Sequence, residues 1–344
     1  MIPTVLGLLG IYLAGTGIVW ALTRVVLGYA ESRSLIDIPN DRSSHASPTP
    51  RGGGLSMVIV FLAVIGILYA FDRLGINQFM ALFGGAALVA GIGFRDDHSP
   101  VAARWRLLVH SIAAIWSLAW IGGFPVFSVA GIVIDPGCFG YPIGVLFLVW
   151  LLNLFNFMDG IDGIAASEAL FISLSAALLC SVGRSLSGSD GDVQILIILA
   201  AGCSGFLLWN WPPAAIFMGD TGSGFLGFIL GLMALITAHK EIVTIWSWMI
   251  LFGVFIADAT VTLARRALRG ERWYEAHRSH AYQHASRQFQ SHRSVTLAVV
   301  AINTIWLLPL ALAGWIWPAA GFFLSCLALI PLFILAYRYH AGVV

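Results

Sequence analysis

Residues Asn153 to Gly163 read N-L-F-N-F-M-D-G-I-D-G and close an apolar run that begins near Ile143. Asp159 and Asp162 end that run three residues apart, each followed by a glycine that lets the backbone bend sharply, so both carboxylates can face one way. Charged groups at membrane depth are costly unless they meet a cation, a partner or water, which makes an intramembrane carboxylate pair a candidate functional site. The plainer reading is a helix end at headgroup level with solvated capping aspartates. Asn153 and Asn156 just upstream add polar groups that capping does not call for.

The rest of the chain supports a membrane setting. Of its 344 residues, 59% are apolar and only 10% charged, with a mean hydropathy of +0.89. At about 20 residues per spanning helix, the chain has room for roughly ten or eleven spans and little else. The expected fold is an all-α polytopic integral membrane protein, one domain over residues 1–344. A net charge of +1 gives no nucleic-acid footprint. Cys138, Cys180, Cys203 and Cys326 are scattered without a C-x-x-C pair, so neither a zinc site nor a disulfide framework is expected. The N-terminal M-I-P-T-V-L-G-L-L-G lacks a basic region before its apolar run and reads as the first span rather than a cleaved signal.

Apolar runs predict spans over Ile2–Val26, Gly54–Phe71, Phe79–Phe94, Leu107–Ile121, Ile143–Phe157, Ile164–Val182, Val193–Asn210, Ser223–Thr237, Val243–Leu263, Val295–Trp315 and Trp317–Tyr337, the last two alternatively forming one re-entrant pair. With the N-terminus outside, fifteen of the eighteen Lys and Arg residues fall on one side and only Arg73, Arg184 and Lys240 on the other. That asymmetry assigns the basic side to the cytoplasm. Outside, Val126–Val129 and Ile132–Ile134 flank Ala130-Gly131 and predict a small β-hairpin.

The chemistry-bearing residues lie in the cytoplasmic loops. D-I-P-N-D-R-S-S-H-A-S-P-T-P-R-G-G-G, from Asp37 to Gly54, offers His45 and Arg51 as donors beside a glycine-rich backbone that a ligand could approach, or is an ordinary solvated linker. G-F-R-D-D-H-S-P sets Asp96 and Asp97 side by side, a pair that repels unless it shares a proton or a hard cation. W-N-W-P-P-A-A-I-F-M-G-D-T-G-S-G carries Asn210 and places Asp220 at the start of a span, with Thr221 and Ser223 as N-cap donors. A helix N-terminus is a seat for anions, and an aspartate there would repel phosphate unless a metal bridged them. The loop over residues 265–294 is basic: Arg265, Arg266 and Arg278 accompany His277, His280 and His284 at i, i+3, i+7, one face of a helix. Its arginines favour diphosphate over zinc, while a basic helix on the anionic inner leaflet is the alternative. Asp258 is expected to pair with Arg265 or Arg266. Carboxylates for a cation and arginines for phosphates are the parts of phosphoryl transfer.

D-D after the third span, N-x-x-N-x-x-D-G-I-D-G, F-M-G-D-x-G-S and the terminal histidine-bearing loop, over roughly Asp37 to His284, resemble the polyprenyl-phosphate N-acetylhexosamine-1-phosphate transferases. The resemblance implies transfer of a sugar 1-phosphate from a UDP-N-acetylamino sugar to undecaprenyl phosphate in a bacterial inner membrane, releasing UMP. It implies Mg2+, or Mn2+ in its place, on Asp220 with Asp159, and catalytic Asp96, Asp97, Asp159 and Asp162. It further implies substrate contacts from His45, Arg51, Asn153, Asn156, Asn210, Arg265, Arg266, His277, Arg278 and His280. Its partners are then the two substrates and membrane lipid, not nucleic acid, with a homodimer as an allowed assembly. H-R-S-H-A-Y-Q-H replaces the consecutive histidines of the muramoyl-pentapeptide branch, and no lysine precedes T-P. Both departures point to the branch that starts O-antigen or capsule units with a plain, or 6-deoxy, amino sugar. From another class, a cation-coupled transporter would need its carboxylates near the bilayer midplane in two related halves, which this chain lacks.

Overall fold

The computed structural model of the chain describes residues 5–39, 47–182, 190–271 and 277–343. His45, expected to bind substrate, lies outside the described residues. Every predicted span falls on helix: α1 (Val5–Ser32), α2 (Leu55–Ala70), α3 (Ile76–His98), α4 (Ala103–Ile121), α5 (Gly140–Met158), α6 (Ile164–Val182), α7 (Asp190–Asn210) and α8 (Gly219–His239). After these come α9 (Ile245–Leu251), α10 (Gly253–Leu268), α11 (Ala281–Phe289), α12 (His292–Ile302), α13 (Leu308–Ile316) and α14 (Gly321–Arg338). Eight described helical stretches are long and apolar enough to cross a membrane, nine with the bent α9–α10 pair. The spans predicted over α2 and α4 fall short of that measure. Helix α2 has 16 residues, and α4 opens with Arg104 and Arg106. The protein is a polytopic all-α membrane protein.

Helix α8 is the axis, with nearly its whole apolar stretch buried against α2, α3, α5, α6 and α9. Small residues make that possible. A Cβ on Gly227 would stand 2.4 Å from the Leu151 carbonyl oxygen, and one on Gly231 would stand 2.9 Å from the Leu151 side chain, so α5 and α8 touch along their backbones.

One expectation changes. The ninth span is broken between Phe252 and Gly253, where α9 and α10 meet at 75°. The Trp248 indole N–H donates to Thr237 Oγ1 and fixes α9 against α8, while α10 packs on α14 and α5. The last two spans are separate, as the eleven-span reading has them, and not the alternative re-entrant pair. Helix α12 continues through a π-helical turn, Asn303–Leu307, into α13, and α14 returns after Trp317–Ala320.

The predicted hairpin forms as expected. Strands β3 (Phe127–Val129) and β4 (Ile132–Ile134) pair antiparallel across Ala130 (φ 50°) and Gly131 (φ 84°), both left-handed as a tight hairpin turn requires. At the other end, β1 (Ile36–Asp37) pairs with β2 (Thr49–Pro50) and ties α1 to the start of α2.

Candidate active site

The site is built around the first turn of α8. Its N–H groups would suit an anion, and the occupant of that seat is Asp97. The buried Asp97 carboxylate accepts from the backbone N–H of Asp220 (2.9 Å), the backbone N–H of Thr221 (3.1 Å) and the Thr221 hydroxyl (2.6 Å). Gly219 makes room: its φ is +76°, and a Cβ there would lie 2.6 to 2.9 Å from the Asp97 carboxylate. The glycine triplet Gly52–Gly54, expected to admit a ligand, packs here too. Gly53 and Gly54 donate to the carbonyls of Phe217 and Met218, and a Cβ on Gly54 would fall 2.3 Å from Gly222 Cα. Arg51 donates to the Asp97 carbonyl at 2.8 Å.

Asp96 and Asp97 are neighbours in sequence that point different ways. Asp96 accepts from the Val101 N–H (2.6 Å) and from Arg106 Nη1 (3.0 Å). The same Arg106 nitrogen donates to Asp220 Oδ2 at 2.6 Å, so one guanidinium bridges two carboxylates from separate helices. Asn156, at the end of α5, donates to Asp220 Oδ1 (2.8 Å) and to the Ser223 hydroxyl (3.1 Å). Asn153 donates to Val149 one turn back on its own helix and does not reach this cluster.

Asp159 follows α5 directly. No hydrogen-bond donor meets its carboxylate among the described residues. Burial, with the carboxylates of Asp220, Asp97 and Asp162 nearby, pushes its pKa well above the usual carboxylate range. Such a group holds a proton or waits for a cation. Asp162 faces elsewhere: it accepts from the Ala214 N–H (3.1 Å) and pairs with His292 at 3.3 Å, while Thr296 donates to its carbonyl. Buried Asn210 joins the two loops, accepting from the Gly163 N–H (3.0 Å) and donating to the Ile216 carbonyl (2.9 Å). Beside them opens a cavity of about 620 Å3 lined by Asp162, Ala214, Phe217, Arg287, His292 and Arg293, among others.

The histidine loop is arranged differently from a single helical face. Helix α11 starts at Ala281, so His280 caps it and His277 precedes it. Their rings stack at 4.9 Å, whereas His284 turns away to the Val343 carbonyl (2.9 Å). Burial, with His280 and Arg266 adjacent, draws the His277 pKa down to about 3, so its ring is neutral. Asp258 corrects a second expectation. It caps α11 rather than pairing with an arginine, accepting from the N–H groups of Ala281 (3.0 Å) and Tyr282 (2.9 Å) and contacting His280 at 3.1 Å. Tyr282 then donates to the Phe157 carbonyl (3.0 Å), which docks the loop against the Asp159 turn. Arg265 donates to the Ala341 carbonyl (2.8 Å), Arg266 pairs with Glu271 (2.8 Å), and Arg278 is exposed, its carbonyl accepting from Arg287.

Arg106, His292 and Phe217 were not singled out from sequence. Arg106 carried a legible sign, since a guanidinium one turn inside an apolar helix needs a partner there. His292 gave none. As for a metal, no three His, Cys, Asp or Glu side chains gather as a ready-made cage among the described residues. Mg2+ does not require one, because it is usually held by one or two carboxylates with waters and substrate phosphates. Asp159, crowded by carboxylates and without a donor, and Asp220, partly covered at the rim, are an oxygen set of that kind.

The comparisons agree with this geometry. A family model described as glycosyl transferase family 4 matches residues 79–238, the stretch holding Asp96, Asp97, Asp159, Asp162, Asn210 and Asp220. The chain is 31% identical over 292 residues to the probable undecaprenyl-phosphate N-acetylglucosaminyl 1-phosphate transferase of Bacillus subtilis, covering 83% of this chain and 78% of that protein. It is 29% identical over 296 residues to the decaprenyl-phosphate N-acetylglucosaminephosphotransferase of Mycobacterium tuberculosis, covering 76% and 71%. A phospho-N-acetylmuramoyl-pentapeptide-transferase of Rhodopseudomonas palustris is 31% identical over 268 residues, covering 67% and 72%. The carboxylate-lined end of this helical bundle thus sits in a multi-pass membrane enzyme of the phosphosugar-transferase kind, and the chain belongs to the polyprenyl-phosphate N-acetylhexosamine-1-phosphate transferases of glycosyl transferase family 4.

Proposed function

We propose that this enzyme transfers an N-acetylamino-sugar 1-phosphate from a UDP-sugar to undecaprenyl phosphate at the inner face of the bacterial inner membrane. The products are UMP and the undecaprenyl-diphosphate sugar that starts an O-antigen or related envelope polysaccharide. The observation that carries the reading is the gathering of four carboxylates from three chain segments at one end of the bundle: Arg106 bridges Asp96 and Asp220, Asp97 caps the turn that carries Asp220, and Asp159 lies close to both Asp97 and Asp220. A transporter has little use for such a rim, since its carboxylates belong at the midplane.

Each residue has a task that its contacts suit. Asp97 engages both oxygens on α8 and therefore positions Asp220. Asp96, at the partly open rim, is the member of the pair left to take the residual proton of the lipid phosphate, whose oxygen then attacks the sugar-bearing phosphorus. Arg106 is placed to turn from carboxylates to the donor diphosphate. Asn156 orients the Asp220 carboxylate. Asp220 and Asp159 would hold Mg2+, which when bound neutralises charge on the diphosphate and the departing nucleotide. The 620 Å3 cavity suits the nucleoside end, with Phe217 for stacking, Asp162 for hydrogen bonding and Arg287 and Arg293 for charge. An apolar cavity of about 380 Å3 between α10, α11, α12 and α14, floored by Tyr282 and Asp258, would take the first isoprene units.

The test is UMP release by purified protein given undecaprenyl phosphate, Mg2+ and, in turn, UDP-GlcNAc, UDP-GalNAc, UDP-FucNAc and UDP-QuiNAc. One donor is expected to turn over in strict dependence on lipid phosphate and divalent cation. Folded protein inert toward all four would overturn the proposal. Exchange of labelled UMP into UDP-sugar without lipid would instead indicate a phospho-aspartate intermediate.

A further inference from the structure

Glu168 lies one turn into α6, fully buried in a membrane-spanning segment, and has no part in the transfer chemistry. Its Oε2 accepts from Nδ2 of Asn303, itself fully buried, at the point where α12 passes into its π-helical turn. Two atoms of this pair are left over. Glu168 Oε1 and Asn303 Oδ1 are both buried acceptors without a donor among the described residues. Two acceptors cannot satisfy each other, and an ionised carboxylate with one bond and no cation is expensive in such a place.

One proton resolves both. We infer that Glu168 is a neutral acid and forms with Asn303 a cyclic acid–amide pair: Nδ2–H donates to Oε2, and Oε1–H donates to Oδ1. No group is consumed, since the proton stays on the carboxyl. The pair is the deepest point of a seam. His292, Thr296 and Asn303 follow at i, i+4 and i+11, one stripe of α12, and reach Asp162 Oδ1, the Asp162 carbonyl and Glu168 in turn. Helix α6 begins two residues after Asp162, so a clamp on its first turn fixes the Asp159–Asp162 turn relative to α12. π-Helical turns of this kind recur at functional sites. Glu168 is therefore a positioning residue.

The proton can be read without substrate. Infrared spectra of the purified protein at neutral pH should contain a protonated carboxyl carbonyl band that Glu168→Gln deletes. A wild-type minus Glu168→Gln difference spectrum without that band overturns the inference, since any signal from Asp159 is common to both proteins and cancels. The positioning role rests on the transfer reaction proposed above. A glutamine reproduces both hydrogen bonds, so Glu168→Gln should keep kcat within about twofold. Asn303→Leu should lower kcat about tenfold with little change in donor KM, because the turn is misplaced rather than unbound. Glu168→Leu combined with Asn303→Leu should be no worse than the poorer single variant. If Glu168→Gln is as damaged as Glu168→Leu, the site needs a charge and the acid–amide pair is wrong. Should the leucine variants not fold, the infrared band and Glu168→Gln decide the matter.

Discussion

Both ends of the bundle hold aspartates against α8, but they treat them differently. At the end that carries the β3–β4 hairpin, Asp192, almost fully buried at the start of α7, accepts from Lys240 Nζ at 2.9 Å on both oxygens and from Gln78 at 2.6 Å. Three elements are tied, and the charge is met. At the opposite end, Arg106 is shared between Asp96 and Asp220, and Asp159 has no hydrogen-bond donor among the described residues. A balanced cluster holds helices together, while a cluster with surplus negative charge waits for something positive to arrive. That difference, rather than the presence of aspartate in a membrane protein, is why we propose the second cluster as the reactive end.

The contrast can be broken most directly at Asp220. Asp220→Asn should lower UMP release by about 10³-fold or more while leaving the melting temperature near that of the wild type. A near-normal rate would return the second cluster to a structural role. Asp97→Asn should cost about 100-fold in kcat and also lower the melting temperature, because an amide cannot meet all three donors at the start of α8. Arg106→Lys keeps the charge but replaces the Nη1 that reaches both carboxylates with a shorter, non-planar ammonium unsuited to a diphosphate, so donor KM should rise about tenfold with a smaller change in kcat. At the hairpin end Asp192→Asn should behave in the opposite way, losing roughly 1–3 kcal/mol of stability while kcat per folded molecule stays within about twofold. The smallest effect concerns acid. His277 is depressed to about 3 from the ordinary 6.5, so the folded state binds fewer protons than the unfolded chain. The stability this gives is complete above about pH 6.5 and declines as pH falls toward 3. Melting curves of His277→Gln should show a shallower acid slope than the wild type.

Much of this was readable in the chain. Apolar runs and the one-sided basic residues gave the spans, and motif order gave the family. What the string of letters could not give was which hydrogen bonds each carboxylate would make. Asp96 and Asp97 look equivalent as letters, yet one caps a distant helix and the other meets an arginine ten residues on. Asp258 had two arginines within two turns and paired with neither, because the N–H groups at the start of α11 offered several donors at once. The three histidines kept helical spacing, but the helix starts only at Ala281, so spacing alone misled. The break at Phe252 was equally hidden, since an apolar run reads the same whether straight or bent by 75°.

The close contact of α5 with α8 has a mechanical consequence. With Gly227 and Gly231 leaving no slack against Leu151, the anvil on which the reaction is struck cannot travel. A lipid diffusing in two dimensions and a nucleotide diffusing in three must both come to a stationary point. Whatever opening and closing turnover demands therefore falls to the loops around the carboxylates, and an inhibitor that wedges those loops would stall the enzyme while the α5–α8 spine stays as it is.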